Sequence, residues 1–474
     1  MDNQKNTISI IAVFMLITIL FPTGCTQERG EDEVYSGDYE PADLITIVQE
    51  EGYPDIQFPK NQLIIQAAAG VTREQLLGVL DDLEATLIGQ MPSRGLYQVR
   101  VNAADKDTLD QMKTALQGRS EIARVGYNLL CEQSGLSDDR CPVQPDSIVN
   151  FLSDPFEHSE YAIALEIIEG LRDTIPMSRV AIGLLERGYN ETNPEFEETR
   201  IVDVSEAGVQ LDQSDTHGNA MMGIICADND GSGVNGIASS FLKDKLTVYI
   251  ARPRNQSVFS YQTALTNLTN VADIIINSWS MSLSPASEEA FGDLFDMYND
   301  LMYDSGASLF VNAAPNRNIL ITPTNALPAS ITLHENTITV SAHSAVDPNR
   351  KLDNAGYGDL VAISALGVVD VTTPSGADRL ATGTCYAAAQ VASAAALLMS
   401  VGYDHLSFRA IKQLLLEHTG WQPVEPNAGV LLSFSYPLAD LLWEMYQNEP
   451  WARRVMDWDG DDLHDTPLQI AASL

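Results

Sequence analysis

Positive charge is the scarcest chemistry in this chain. Lysine and arginine together number 27 against 65 aspartates and glutamates, a formal net charge of -38 over 474 residues. Such a balance repels polyphosphate and anionic headgroups, which excludes nucleic acid and acidic lipid as partners recognised by charge. Cysteine is nearly as sparse. The five, at positions 25, 131, 141, 226 and 385, are too few and too scattered for a disulfide scaffold and lack the paired short spacings of a zinc site. The apolar run from Ile8 to Phe21, broken only by Ser9 and Thr18, falls short of the ~20 residues that cross a bilayer. What is present is a globular composition. With 45% hydrophobic and only 19% charged residues, the acidity comes from missing bases and not from a disordered polyelectrolyte. At about 150 residues per domain the length suggests roughly three units.

The apolar run follows Lys5 and ends in Pro22-Thr23-Gly24-Cys25, the layout of a processed secretory signal over residues 1–25. A cysteine behind a small residue at that place resembles a bacterial lipoprotein signal, in which Cys25 is acylated and becomes the new amino terminus. Plain secretion and an uncleaved anchor are the other readings. The expected location is the bacterial cell envelope, with a membrane partner through the lipid anchor, or the medium after processing. Residues 26–59, rich in Asp and Glu, read as a solvated tether.

Residues 60–131 alternate between two periods. Leu63-Ile64-Ile65 is strand-like, and Thr72 with Gln75 forms a capping box for a helix carrying Leu76, Leu77, Leu80 and Leu83 on one face. Strands are predicted at Thr86 to Met91 and Leu96 to Val101, a second helix through Leu109, Met112 and Leu116, and a last strand at Val125 to Leu130. The order β-α-β-β-α-β is the ferredoxin-like α+β unit, which alone specifies no function. Residues 132–153 are Ser-, Asp- and Pro-rich and read as a linker. Cys131 and Cys141 flank part of it; they are either a disulfide brace or two unpaired thiols.

From about 154 to 440 the pattern is α/β. Unalternated apolar strands at Val180 to Leu185, Leu246 to Ala251, Ile274 to Ile276, Leu309 to Val311, Ile338 to Val340 and Leu360 to Ile363 predict a mostly parallel sheet with both faces covered. Four residues fall at strand ends or helix starts. Glu186 ends the first strand, His217 opens a helix in Asp215-Thr216-His217-Gly218-Asn219, Asn316 follows the fourth strand, and Cys385 starts a long apolar helix. Singly they read as a solvated acid, a structural histidine, a turn former and a small buried hydrophobe. Together, the chain order acid, histidine, nucleophile, with an Asn between the last two, is one of the known orders of a hydrolytic triad.

These segments resemble the subtilisin-like peptidase (subtilase) family. The family's strand followed by Asp-Ser/Thr-Gly is matched at Leu184 to Gly188, and its His-Pro-Asp-Leu is similar to Asn193-Pro194-Glu195-Phe196. Its His-Gly-Thr helix is matched at His217-Gly218-Asn219, its substrate-edge segment at Asn277-Ser278-Trp279-Ser280, and its oxyanion segment at Ala313 to Asn316. Gly383 to Ala387 resembles the nucleophile motif. The resemblance implies a subtilisin-like three-layer domain, a peptide or protein substrate, and a substrate edge at Ser278, Trp279 and Ser280, where Trp279 narrows the groove. It also makes 60–131 an inhibitory propeptide domain and a partner of the catalytic domain. Structural calcium is implied by family resemblance only, with no ligands and no other cofactor identifiable, and Cys226 reads as a packed core residue.

The departures bear on chemistry. Cys385 stands where the family has Ser and Glu186 where it has Asp, while Asn219, Ala220, Pro315 and Ala389-Gln390 replace further motif residues. A thiol beside an imidazolium at a helix start is a workable nucleophile, because its pKa falls below the usual value of about 8.5. Three readings stay open: a cysteine-nucleophile endopeptidase, a pseudoprotease that binds extended peptides, and a thioester-forming transpeptidase or esterase. Retention of the acid, base, nucleophile and oxyanion roles favours the first. Residues 441–474 read as a solvated acidic extension.

Overall fold

The computed structural model describes residues 33–133 and 160–474, apart from 231, 286, 305–307, 333, 403–405, 418–422, 458–459 and 462. The signal segment with Cys25, most of the linker and Cys141 lie outside the described residues.

The small domain begins earlier than expected. Strand β1 (Leu44–Ile47) pairs antiparallel with β2 (Ile56–Pro59), so the stretch from 33 onward is folded and is not a solvated tether. Then follow β3 (Gln62–Ala67), α1 (Arg73–Asp82), β4 (Thr86–Met91), β5 (Leu96–Arg100), α2 (Lys106–Gln117) and β6 (Ile122–Tyr127). The capping box forms as read: Thr72 accepts from the Gln75 N–H, and the Gln75 side chain returns to the Thr72 N–H. The sheet order β4-β5-β3-β6 is antiparallel throughout. Leu63, Ile64 and Ile65 are all fully buried, so both faces of the sheet are covered.

The linker's first residues form strand β7 (Glu132–Gln133). The large domain opens with α3 (Tyr161–Leu171) and β8 (Val180–Leu185), followed by β9 (Arg200–Asp203), α4 (Thr216–Cys226), α5 (Ile237–Leu242), β10 (Leu246–Ala251) and α6 (Val258–Thr269). Next come β11 (Ile274–Asn277), β12 (Trp279–Ser282), α7 (Glu288–Asp304), β13 (Leu309–Ala313), β14 (Ala326–Leu327), β15 (Thr337–His343) and β16 (Ile363–Leu366). A hairpin of β17 (Val368–Thr372) and β18 (Asp378–Thr382) leads into α8 (Thr384–Gly402), and α9 (Phe408–Glu417) and β19 (Val430–Leu431) complete the layers. Eight strands in the order β19-β16-β15-β13-β11-β8-β10-β9 pair in parallel. Their unalternated apolar faces explain why α8 is buried along its whole length: it is long and apolar enough to cross a membrane, yet it lies in the core. The strand expected at Leu360 to Ile363 starts only at Ile363, because residues 358–361 close a turn in which Val361 N–H reaches the Gly358 carbonyl.

The carboxyl-terminal extension is a correction as well. After α10 (Ser435–Tyr446), helices α11 (Pro450–Met456) and α12 (Pro467–Ser473) pack on each other and α12 packs on α3. Ala452, Met456 and Ile470 are fully buried. An apolar stripe that finds a partner outweighs the acidic loop between the helices.

One apolar core crosses the joint between the domains. Tyr127 stacks edge-on against Phe291 with ring centroids 5.5 Å apart, and the small domain's core residues are continuous with Val258, Phe259, Trp279 and Tyr298 of the large one.

Candidate active site

Three backbone devices bring the expected residues together. Glu186 directly follows β8, where its N–H bonds to the Ala251 carbonyl. His217 is in the first turn of α4, whose N-cap Asp215 accepts from the His217 N–H at 3.2 Å. Cys385 is the second residue of α8. Glu186, His217 and Cys385 are all buried.

His217 Nδ1 lies 2.8 Å from Glu186 Oε2. Glu186 Oε1 accepts from the Ser278 hydroxyl, which also contacts the Leu185 carbonyl at 3.2 Å. The extra methylene of Glu is thus absorbed with both carboxyl oxygens engaged. Burial opposes charge on the imidazole, yet the Glu186 carboxylate and the Cys385 thiol outweigh it and hold His217 well above the usual histidine range.

Asn316 is fixed by its own carbonyl. Its Oδ1 accepts from the Thr384 N–H at 2.8 Å and the Thr384 hydroxyl at 3.0 Å, which leaves Nδ2 buried and without a hydrogen-bond partner. A Cβ built on Gly383 would sit 3.1 Å from Cys385 Sγ and 3.2 Å from Asn316 Nδ2. Glycine at 383 therefore keeps open a small space faced by both the sulfur and an unused amide donor. A carbonyl carbon attacked by Sγ would place its oxygen where such a donor is useful.

Two expected substrate residues act differently. The Ser278 side chain turns to Glu186 and so positions the acid. Trp279 is fully buried with its ring between Tyr261 and Tyr298, at 5.1 and 5.2 Å between centroids, so the indole belongs to the core and does not narrow a groove. Successive strand residues point to opposite sides, and the edge itself is the backbone. That backbone is occupied: β7 lies antiparallel on β12, with Trp279 opposite Gln133 and Ser280 opposite Glu132. Just upstream, Cys131 N–H bonds to the Gln256 carbonyl at 2.7 Å and Val258 N–H to the Leu129 carbonyl at 2.7 Å. Residues 129–133 are thereby held from two sides.

Asp215 was not singled out by its sequence. Burial first, and the nearby Glu186 second, push its carboxyl up, with Arg187 at 3.5 Å as a counter-charge. The signal was its place two residues before His217, at a helix start. Cys226 is fully buried in the core, and burial pushes its thiol up. Among the described residues no group of three or more His, Cys, Asp or Glu side chains is arranged to hold a metal. Glu195, in the segment similar to a family motif, is buried with Oε2 unpartnered. Its carboxyl is pushed up by burial and by Asp378, Asp230 and Asp228.

Comparison with known proteins agrees with this architecture. Fervidolysin from Fervidobacterium pennivorans, a keratinolytic enzyme related to subtilisin, superposes with a TM-score of 0.58 at 14% identity, over 85% of this chain and 62% of its own. This chain thus spans less than two thirds of fervidolysin. The epidermin leader peptide processing serine protease from Staphylococcus aureus gives a TM-score of 0.58 at 12% identity, over 80% of this chain and 97% of its own. No curated protein matches the sequence. At such identities the likeness is one of fold. The sequence itself matches the Subtilase family over residues 177–436, more than half of the chain, and with the sheet and site built as described the chain belongs to the subtilase family.

Proposed function

We propose that this chain is an exported subtilisin-like endopeptidase that cleaves peptide bonds through Cys385, His217 and Glu186, and that its own small domain keeps it inhibited until processed. The observation that carries the reading is the open space at Gly383 faced by Cys385 Sγ and Asn316 Nδ2, with His217 raised well above the usual histidine range beside it. The Cys385 thiolate adds to the scissile carbonyl, and the oxygen takes the negative charge against Asn316 Nδ2 and the Cys385 N–H. As the C–N bond breaks, imidazolium His217 gives its proton to the leaving amine and a thioester remains. Neutral His217 then takes a proton from water, hydroxide adds to the thioester, and the sulfur leaves as thiolate with the acid product. Glu186, fixed by Ser278, holds the imidazole in the orientation both steps require.

Strand β7 at Glu132–Gln133 supports the inhibited state, because a segment lying on β12 excludes another extended peptide from that edge. Cleavage within the linker 132–153 would cut the chain between the two halves. Acylation at Cys25, export and the Cys131–Cys141 brace complete the reading and rest on the sequence. Mass spectrometry of the protein from its own membrane would report a lipid on Cys25 and the amino terminus of the processed form.

The test of the site is alkylation. Processed protein treated with a low dose of iodoacetamide near neutral pH should be labelled at Cys385, and His217→Ala should slow that labelling by at least tenfold. Labelling indifferent to His217 would overturn the thiolate–imidazolium pair. Peptide binding that survives Cys385→Ala, with no turnover by the unmutated protein, would establish a pseudoprotease instead.

A further inference from the structure

The stretch 33–59 runs across the outside of the joint between the two domains and holds it at two places. The first is centred on Ser36 and Gly37. Ser36 is only 4% exposed; its N–H and hydroxyl donate to Glu206 Oε2 at 3.1 and 3.2 Å, and its hydroxyl also meets Ser260 Oγ at 3.4 Å. The other oxygen of Glu206 is taken by Arg254, at 2.7 and 3.1 Å. Gly37 faces both domains. Its N–H donates to Gln98 Oε1 on β5 at 2.7 Å, and its carbonyl accepts from Gln98 Nε2 at 3.3 Å and from Asn255 Nδ2 of the large domain at 3.2 Å. A Cβ at this position would fall 2.7 Å from the Ile88 carbonyl oxygen, so only glycine fits.

The second hold is Gln49. Its Oε1 accepts from the Ser284 N–H at 2.6 Å and the Ser287 hydroxyl at 2.8 Å, next to the start of α7, while its Nε2 donates to the Ser282 carbonyl at 3.1 Å. Ser282 ends β12, the strand on which residues 132–133 lie. Between the two holds, β1 pairs with β2, and the Gln57 carbonyl of β2 accepts from the Leu130 N–H at 2.8 Å. The stretch therefore braces the large domain, the small domain and the groove-filling segment together. None of these contacts involves Glu186, His217 or Cys385.

We propose that residues 33–59 are a clasp, a second inhibitory contact separate from the groove strand, which keeps the small domain seated on the large one after the chain is cut within the linker 132–153. The proposal rests on the zymogen reading and deepens it: a cut alone does not free the catalytic domain, and release requires the clasp to open. Contacts carried on one chain reinforce each other, because once one is made the next is intramolecular and forms at high effective concentration. Loss of either hold should then shorten the lifetime of the complex by a large factor. Because the clasp starts close behind Cys25, a cut but clasped enzyme would stay with the anchored half.

The test uses the full chain carrying Cys385→Ala, so that the readout needs no catalysis, with a recognition site for an added specific protease placed between 142 and 153. After cutting, the amino-terminal half is immobilised and loss of the carboxyl-terminal half is timed. Gln49→Ala should shorten the half-life about tenfold, the loss expected for one cluster of partly buried hydrogen bonds. Gly37→Val should shorten it at least as much. Lifetimes within twofold of the parent for both variants would overturn the clasp. Gly37→Val is scored only if the uncut variant melts with the parent; Gln49→Ala, which truncates a half-buried side chain, decides the outcome otherwise. Alkylation at Cys385 is a separate measurement, so failure of the peptidase reading would show there and failure of the clasp would show here.

Discussion

At Glu186 the chain spends one more methylene than the family's aspartate, and the fold takes up the length by seating one carboxyl oxygen against Ser278 and the other against His217 Nδ1. The electrostatic result is a histidine held well above its usual range, with the Glu186 carboxylate foremost among the groups that raise it against the opposing effect of burial. The sign for activity follows. In the proposed mechanism the imidazolium protonates the leaving amine, so activity should be lost as pH rises through the raised pKa of His217, and the alkaline limb of kcat/KM should lie well above pH ~7. Glu186→Gln removes that support and should move the limb to lower pH; an unmoved limb would mean that another group sets it. Asn316 tests a different role. Asn316→Ala takes away the Nδ2 donor and should cost about 10²- to 10³-fold in kcat, roughly 3–4 kcal/mol, while iodoacetamide labelling of Cys385 persists. Parallel loss of both would show that Asn316 serves the thiol through its bonds to Thr384 and not the oxyanion.

Among the elements, β12 separates what the sequence could tell from what it could not. The resemblance to the family marked Ser278 to Ser280 as a substrate edge, and in the structure Trp279 and Ser280 lie opposite Gln133 and Glu132 of β7. The directions of the side chains were not readable, since they depend on Tyr261 and Tyr298, which arrive from α6 and α7. As a core ring, Trp279 should matter to stability first: Trp279→Ala should lower unfolding free energy by about 3–5 kcal/mol in a denaturant titration, where a groove residue would cost little. The same contrast runs through the chain. Val180 to Leu185, Leu246 to Ala251 and the Thr72–Gln75 cap were legible because their signals are local: a continuous apolar run, or a hydroxyl three residues before a glutamine. The stretch from 33, the short β7 and the helices after 446 were not. Their pairing partners, Gln90, Gln98, Glu206, β12 and α3, lie far away in sequence, and an acidic composition hides the few residues that dock.

For the molecule as a whole, the shortage of bases becomes a statement about pH and salt. Burial raises the carboxyls of Glu195, Asp215, Asp228, Asp273 and Asp378, and nearby acids add to it at four of them, all but Asp273. His464 is raised chiefly by its bond to Asp440, and His217 by Glu186 and Cys385 against its own burial. Each of these groups binds its proton more tightly in the folded state. Above its ordinary pKa, the folded chain then holds more protons than the unfolded one, and stability falls as pH rises. In the other direction, Asp105 and Asp212 are lowered by bonds to Thr108 and Ser214, and Asp110 by Lys106 and Tyr127 against burial. Their contribution is present above about pH 4 and is lost as pH falls through their lowered values. The two trends place the maximum on the acid side of neutral. The formal charge of -38 points the same way, since protonating carboxylates relieves self-repulsion. Salt should substitute for protons. Raising sodium chloride from about 0.05 to about 0.5 M shortens the screening length severalfold, so Tm should rise clearly at pH ~8 and much less at pH ~5. A Tm that climbs steadily from pH ~5 to pH ~8, or a salt effect equal at both, would show that the raised acids and the shared negative field do not limit this fold.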